Sequence, residues 1–147
     1  MNPDFHDMLS ALSEQGAEYL LVGAYALAVH GLPRATGDMD LWVRPSQDNA
    51  PRVLAALARF GAPVGGLSER DLVTPGTVFQ IGVAPRRIDI LTAIDGVEFE
   101  EAWAARRITR VGTLDVPVID RRHLLRNKKA TGRPQDLADA VRLEELG

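Results

Sequence analysis

The chain predicts an α/β (α+β) fold, a small mixed β-sheet flanked by helices with a helical segment at its C-terminal end. Three observations carry this expectation. Stretches of helical period and stretches of strand character intermix, Gly- and Pro-containing turns separate them, and the 147 residues are close to the usual size of one domain. A single unit over residues 1–147 is expected, with a core over about 1–119 and C-terminal helices over about 120–147.

The elements follow in order. Phe5, Met8, Leu9 and Leu12 repeat at i, i+3, i+4 and i+7, which predicts a helix over 3–15, with Pro3 in its first turn and Gly16 at its end. Tyr19 to Val22 reads as a buried strand, Gly23 as a tight turn, and Ala24 to Val29 as a short helix ended near Gly31. Met39 to Val43 is a second strand bounded by Gly37 and Pro45. Val53, Leu54, Leu57 and Phe60 give another helix, and Ala62 to Leu67 a loop. Thr77 to Val83 and Arg86 to Ile90 read as a hairpin through Ala84-Pro85. Glu98 to Arg106 is helical, and Ile108 to Val118 is a β excursion around Gly112-Thr113. Asp120 is a good N-cap for a helix to about Ala130; Gly132-Arg133-Pro134 breaks it before a closing helix to Leu146.

Composition excludes several classes. With 46% hydrophobic and 25% charged residues the chain is neither disordered nor of low complexity. It has no Cys, hence no disulfide, thiolate zinc site or cysteine nucleophile, and its three His (His6, His30, His123) lack metal-ligand spacing. Any metal is expected to be a hard cation held by oxygen. The apolar stretch Tyr19 to Val29 is interrupted at Gly23 and falls well short of the roughly 20 residues that span a bilayer. With no basic, apolar leader at the N-terminus, a cytoplasmic protein with no membrane partner is expected. The net charge of −3 conceals an asymmetry: residues 106–133 carry nine Arg or Lys against Asp115 and Asp120, a local +7, so the remainder sums to −10. Such segregation fits either an anionic ligand or a solvated basic helix.

The segment most informative about chemistry is Gly37-Asp38-Met39-Asp40-Leu41-Trp42-Val43. A strand has a side-chain period of two, so Asp38 and Asp40 share a face while Met39 and Leu41 point to the core. Two adjacent carboxylates call for a cation or for water. Asp89, between Ile88 and Ile90, has the same form. If its strand lies beside the first, three carboxylates converge and can hold two Mg²⁺ about 3.5–4 Å apart, the geometry of phosphoryl and nucleotidyl transfer. The plainer alternative pairs Asp89 with Arg86 or Arg87. Without metal, Asp38→Asn or Asp89→Asn is expected to be neutral or stabilising through relief of like-charge repulsion. Upstream, Leu20-Leu21-Val22-Gly23-Ala24-Tyr25 is a strand, a glycine turn and a helix start, where backbone N–H groups can receive phosphate oxygens.

This ordered set resembles the nucleotidyltransferase superfamily typified by DNA polymerase beta, in particular its small bacterial members. The residues that carry the resemblance are Val22-Gly23-Ala24-Tyr25-Ala26-Leu27, then His30, Gly31, Arg34, Thr36, Asp38 and Asp40-Leu41, with Asp89 as third carboxylate. Lys128-Lys129-Ala130-Thr131-Gly132-Arg133-Pro134-Gln135-Asp136-Leu137 is similar to the lysine-bearing C-terminal helix of toxin-type nucleotidyltransferases encoded with abortive-infection and toxin–antitoxin pairs. Gly23-Ala24 departs from the usual Gly-Gly or Gly-Ser, removing a hydroxyl donor and adding a methyl.

The resemblance implies a nucleotidyltransferase fold and Mg²⁺-dependent (or Mn²⁺-dependent) transfer of a nucleoside monophosphate from an NTP to a hydroxyl of RNA or a partner protein, with pyrophosphate release, within a toxin–antitoxin setting. Asp38 and Asp40 would hold the nucleotide-bound ion, and Asp89 with them the second. Gly23, Ala24, Arg34, Thr36 and Lys128 would contact the nucleotide. Lys128 is preferred over Lys129 because Arg121, Leu124, Leu125 and Lys128 share neighbouring helical rows. A cognate antitoxin or partner subunit is among the implied partners. The alternative is a catalytically degenerate nucleotide- or partner-binding protein of the same fold. Glycosyltransferases with a DxD motif need more chain. His30 reads as a helix-end residue, Tyr25 and Trp42 as core or groove walls.

Overall fold

The structure, a computed structural model, describes residues 2–33, 37–83 and 85–147. Chain order is α1 (Pro3–Glu14), β1 (Tyr19–Val22), α2 (Gly23–Val29), β2 (Met39–Val43), α3 (Ala50–Phe60), α4 (Glu69–Val73), β3 (Val78–Ile81), β4 (Ile88–Leu91), α5 (Phe99–Ala104), β5 (Arg107–Val111), β6 (Leu114–Val118), α6 (Arg121–Thr131) and α7 (Pro134–Glu145). Six strands form one mixed sheet in the order β3-β4-β2-β1-β6-β5. The β1–β2, β3–β4 and β5–β6 pairs are antiparallel, while β2–β4 and β1–β6 are parallel. The expected small mixed sheet flanked by helices is present.

The centre of the sheet is fully covered. Leu20, Leu21, Met39, Leu41 and Val43 are buried together with Phe5, Met8, Leu9 and Leu12 of α1 and with Val53 and Leu57 of α3. Both α1 and α3 are amphipathic at the expected period, and their apolar faces meet each other and the sheet. Trp42 lies on the strand face shared with Asp40, yet it is 1% exposed because Phe99 packs edge-on against it, with ring centroids 5.0 Å apart. Tyr25 makes a similar edge contact with Phe5 at 5.6 Å. Both aromatics thus belong to packing.

Two local features differ from the expectation. The stretch after α3 carries a 3₁₀ turn, Val64–Gly66, inside the expected loop, and then an extra helix, α4. A capping box starts α4: the Ser68 hydroxyl accepts from Asp71 N at 3.1 Å, and Asp71 Oδ2 accepts from Ser68 N at 3.0 Å. Five residues are too short for periodicity to reveal, but Leu72 anchors the turn in the core. The second difference is that α2 begins at Gly23 itself. Elsewhere the β5–β6 hairpin turns at Gly112-Thr113, and the Asp120 carboxylate caps α6 by accepting from His123 N. Ala84, in the expected β3–β4 connection, lies outside the described residues.

Candidate active site

The parallel pairing of β2 with β4 brings the carboxylates together. Asp40 and Asp89 are register partners, as are Asp40 and Val22 at the end of β1, and partners on neighbouring strands project to one face of a sheet. Asp38 precedes β2 by one residue and Asp40 by two, which returns it to the same side. Gly37 makes this approach possible, since a Cβ there would collide with the Pro85 carbonyl. Gly23 is needed twice over. Its φ is +68°, the left-handed region, and a Cβ on it would collide with the Asp40 carboxylate.

One cation lies within the acidic group. Arg87, just before β4, donates from Nε to Asp89 Oδ1 at 2.9 Å and from Nη2 to Asp89 Oδ2 at 3.3 Å. The same Nη2 is 3.4 Å from Asp38 Oδ2. The plainer alternative for Asp89 is therefore also realised: it shares a face with Asp40 and is paired to Arg87. The Asp40 carboxylate makes no hydrogen bond or ion pair among the described residues. Burial, then the charges of Asp89 and Asp38, push its carboxyl up to about 6, against the downward pull of Arg87 and Lys128. The expected relief of like-charge repulsion thus moves from Asp38 and Asp89 to Asp40, because substituting either of the former forfeits a contact with Arg87.

The opposite wall is built at the α6–α7 elbow. Gly132 ends α6 in the left-handed conformation, Pro134 opens α7, and Asp136 follows in its first turn. Asp136, 4% exposed, accepts from Lys128 Nζ at 3.1 Å, Thr131 Oγ1 at 2.6 Å and Arg133 Nε at 2.6 Å. Burial raises the Asp136 pKa, but these three bonds outweigh it and hold the carboxyl below its ordinary value. Between elbow and sheet lies a cleft of about 460 Å³ whose lining includes Gly23, Asp40, Leu91, Ile94, Lys128 and Arg133. That volume is within the range of small-molecule sites.

Lys128 is 8% exposed and faces this cleft, whereas Lys129 pairs with Glu144 at 3.0 Å on the surface. Ala24 is the second residue of α2, directly after Gly23. Arg34 and Thr36 lie outside the described residues. His30 caps α2, and its Nε2 lies 2.7 Å from the Ile119 carbonyl oxygen. Much of the basic segment is internally matched: Arg110 with Asp115, Arg126 with Glu101, Arg121 with the Leu143 carbonyl. Arg133 as a lining residue, and Asp136 as the buried partner of Lys128 behind it, were not expected. A sequence signal for them exists in Gly132-x-Pro134-x-Asp136, a helix stop followed by a helix start whose first-turn acid lies close to the preceding helix.

The carboxylates supply hard oxygen donors, which suit Mg²⁺ or Mn²⁺, and the unneutralised charge around Asp40 suits a cation. No three His, Cys, Asp or Glu among the described residues are gathered as a metal would require, and Arg87 stands between two of the three carboxylates. No helix among the described residues is long and apolar enough to cross a membrane.

The mixed six-stranded sheet with its flanking helices is a nucleotidyltransferase-like fold, matched by two solved structures. A candidate nucleotidyltransferase from Thermotoga maritima aligns with 99% of this chain and 93% of its own, at a TM-score of 0.61 and 13% identity. The lincosamide antibiotic adenylyltransferase LnuA, in its lincomycin-bound structure, aligns with 100% of this chain and 98% of its own, at a TM-score of 0.62 and 13% identity. At that identity the likeness is one of fold. No family model and no curated protein matches the chain.

Proposed function

We propose that this chain is a nucleotidyltransferase that moves a nucleoside monophosphate from an NTP to an acceptor hydroxyl. The observation that carries the proposal is the meeting, across one cleft, of Asp40, whose register partner in the sheet is Asp89, with buried Lys128 on the opposite wall. In the reaction the acceptor hydroxyl gives up its proton to solvent, its oxygen bonds to the α-phosphorus, the bond from that phosphorus to the bridging oxygen breaks, and pyrophosphate leaves with the electron pair. Asp38, Asp40 and Asp89 are the residues that would hold Mg²⁺ or Mn²⁺, which when bound neutralises charge on the phosphates and lowers the pKa of the acceptor hydroxyl. Lys128, held by Asp136, offers its ammonium to the phosphates. Gly23, followed by Ala24, lets the Asp40 carboxylate lie against the turn, and Gly23 and Ala24 are proposed to contact the phosphates through their backbone. Arg34 and Thr36 are proposed as further phosphate contacts. The toxin-type C-terminal motif supports RNA or a partner protein as acceptor, with an antitoxin as binding partner.

A second reading, a small hydroxyl-bearing acceptor, is favoured by the near-complete mutual coverage with LnuA, which acts on a lincosamide antibiotic. The experiment is incubation with α-labelled NTP and Mg²⁺, offering RNA, cell protein and small polyols in separate reactions. Label is expected on one acceptor class and absent with Asp40→Asn. Absence of label from all, with no NTP binding by calorimetry, would overturn the proposal.

A further inference from the structure

Arg87 stands where a transferase of this kind would need a cation. Its guanidinium takes both oxygens of Asp89, at 2.9 and 3.3 Å, and reaches Asp38 at 3.4 Å. The fork is thus engaged with the side chain that register places next to Asp40. A divalent ion shared by Asp40 and Asp89 would need lone pairs on the same Asp89 oxygens and would sit a few ångströms from a like charge. Metal coordination at these oxygens therefore competes with the guanidinium for the same carboxylate. Asp89 is 7% exposed and cannot turn away from the sheet, whereas about a third of the Arg87 side chain (34%) reaches solvent and can swing outward without disturbing the core.

We infer that Arg87 is a resident counter-ion for the acidic centre, and that divalent metal enters by exchange, displacing the guanidinium from Asp89. The inference rests on the metal-dependent reading above. Exchange has two consequences. In the metal-free chain the acidic group is partly neutralised, which keeps three neighbouring carboxylates compatible with folding. Metal affinity is also lower than three carboxylates alone would give, because each binding event breaks a bidentate ion pair. Arg87 is a positioning residue here, with no contact to substrate required of it.

The test uses the full chain and the Arg87 Nε–H resonance in NMR, assigned by its loss in Arg87→Lys. In the metal-free protein this proton is expected to be protected from exchange with water by Asp89. Saturating Mg²⁺ is expected to abolish the protection. In calorimetry Arg87→Gln is expected to bind Mg²⁺ about tenfold more tightly than the wild type, and Arg87→Lys, which keeps the charge but loses the fork, to fall between them. A resonance that stays protected at saturating Mg²⁺, or equal affinities in all three proteins, overturns the exchange while leaving metal binding intact. Failure of the wild type and of Arg87→Gln alike to take up Mg²⁺ overturns both.

Discussion

The two walls of the cleft handle charge in opposite ways. On the sheet, one guanidinium is paired with two of the three carboxylates, so the wall keeps a net negative charge, and burial followed by the charges of Asp89 and Asp38 pushes Asp40 up to about 6. At the elbow, one carboxylate is shared by a lysine, an arginine and a threonine hydroxyl, so the wall keeps a net positive charge and Asp136 is held low. Each wall alone is incompletely neutralised. A nucleoside triphosphate carrying a divalent ion offers a cation to the first and an anion to the second. On the proposed function, complementarity to that pair is what fits this cleft to its substrate.

The sharpest break of the comparison removes the acid from the sheet. Asp40→Asn and Asp89→Asn are each expected to lower transfer by about a thousandfold while leaving the chain folded, since neither substitution opens a cavity. Turnover of α-labelled NTP measures this, and wild-type rates in either variant would dismiss the carboxylate centre. Next comes Gly23→Ala. Its Cβ must displace the Asp40 carboxylate, and φ of +68° adds strain of about 1–2 kcal/mol. Activity is expected to fall about a hundredfold with a misplaced Asp40, on the scale of a small positional error in a catalytic group. Retained activity alongside a lowered melting temperature would show that Gly23 serves the turn alone.

The two walls were unequally legible. Period-two alternation placed Asp40 and Asp89 on one side of their strands, and a hairpin reading of residues 77–90 put β4 beside β3; that β2 pairs with β4 is a tertiary fact that no local pattern contains. Arg87 appeared only as a plain alternative because an exposed arginine beside an acid is commonplace. Lys128 was legible through its rows with Leu124 and Leu125. Its partner Asp136 was not, since their contact depends on the angle at Gly132-Arg133-Pro134, which the turn residues announce without measuring. The helix α4 was missed because one turn carries no period. Its capping box, Ser68-x-x-Asp71, was the available signal.

The charge left on the sheet should also be visible as a pH dependence of stability without metal. Asp40 titrates near 6 in the folded chain against 3.8 as its ordinary value. Between those values the native state binds more protons than the unfolded one, so stability falls as pH rises through this window and levels off above it. The full penalty is on the order of 3 kcal/mol. Asp40→Asn cannot ionise, so it is expected to match the wild type near pH 4 and to exceed it in stability by up to that amount at pH 8. Denaturant midpoints at both pH values, in chelator, measure the difference. Millimolar Mg²⁺ is expected to narrow it by stabilising the wild type alone. A constant difference across pH would show that the Asp40 carboxyl is not raised by its burial and its acidic neighbours.

The smallest effect separates the neighbours at the elbow. Lys128 is 8% exposed, paired with Asp136 and turned into the cleft, while Lys129 meets Glu144 with both side chains about half exposed, at 54% and 49%. An exposed pair of this kind contributes about 0–1 kcal/mol and is screened by salt. Lys129→Ala is therefore expected to leave NTP affinity unchanged. Lys128→Ala removes the ammonium from the cleft but does not strand Asp136, which retains Thr131 and Arg133, so the fold should tolerate it. Its NTP affinity is expected to drop about tenfold, as for loss of one charge-assisted contact, and the loss should persist at moderate salt because the cleft shields it. Calorimetry of both variants at two salt concentrations and fixed Mg²⁺ is the measurement. Equal losses that vanish together in salt would reduce the elbow to a general basic surface, and the opposition between the two walls would then hold for the sheet side only.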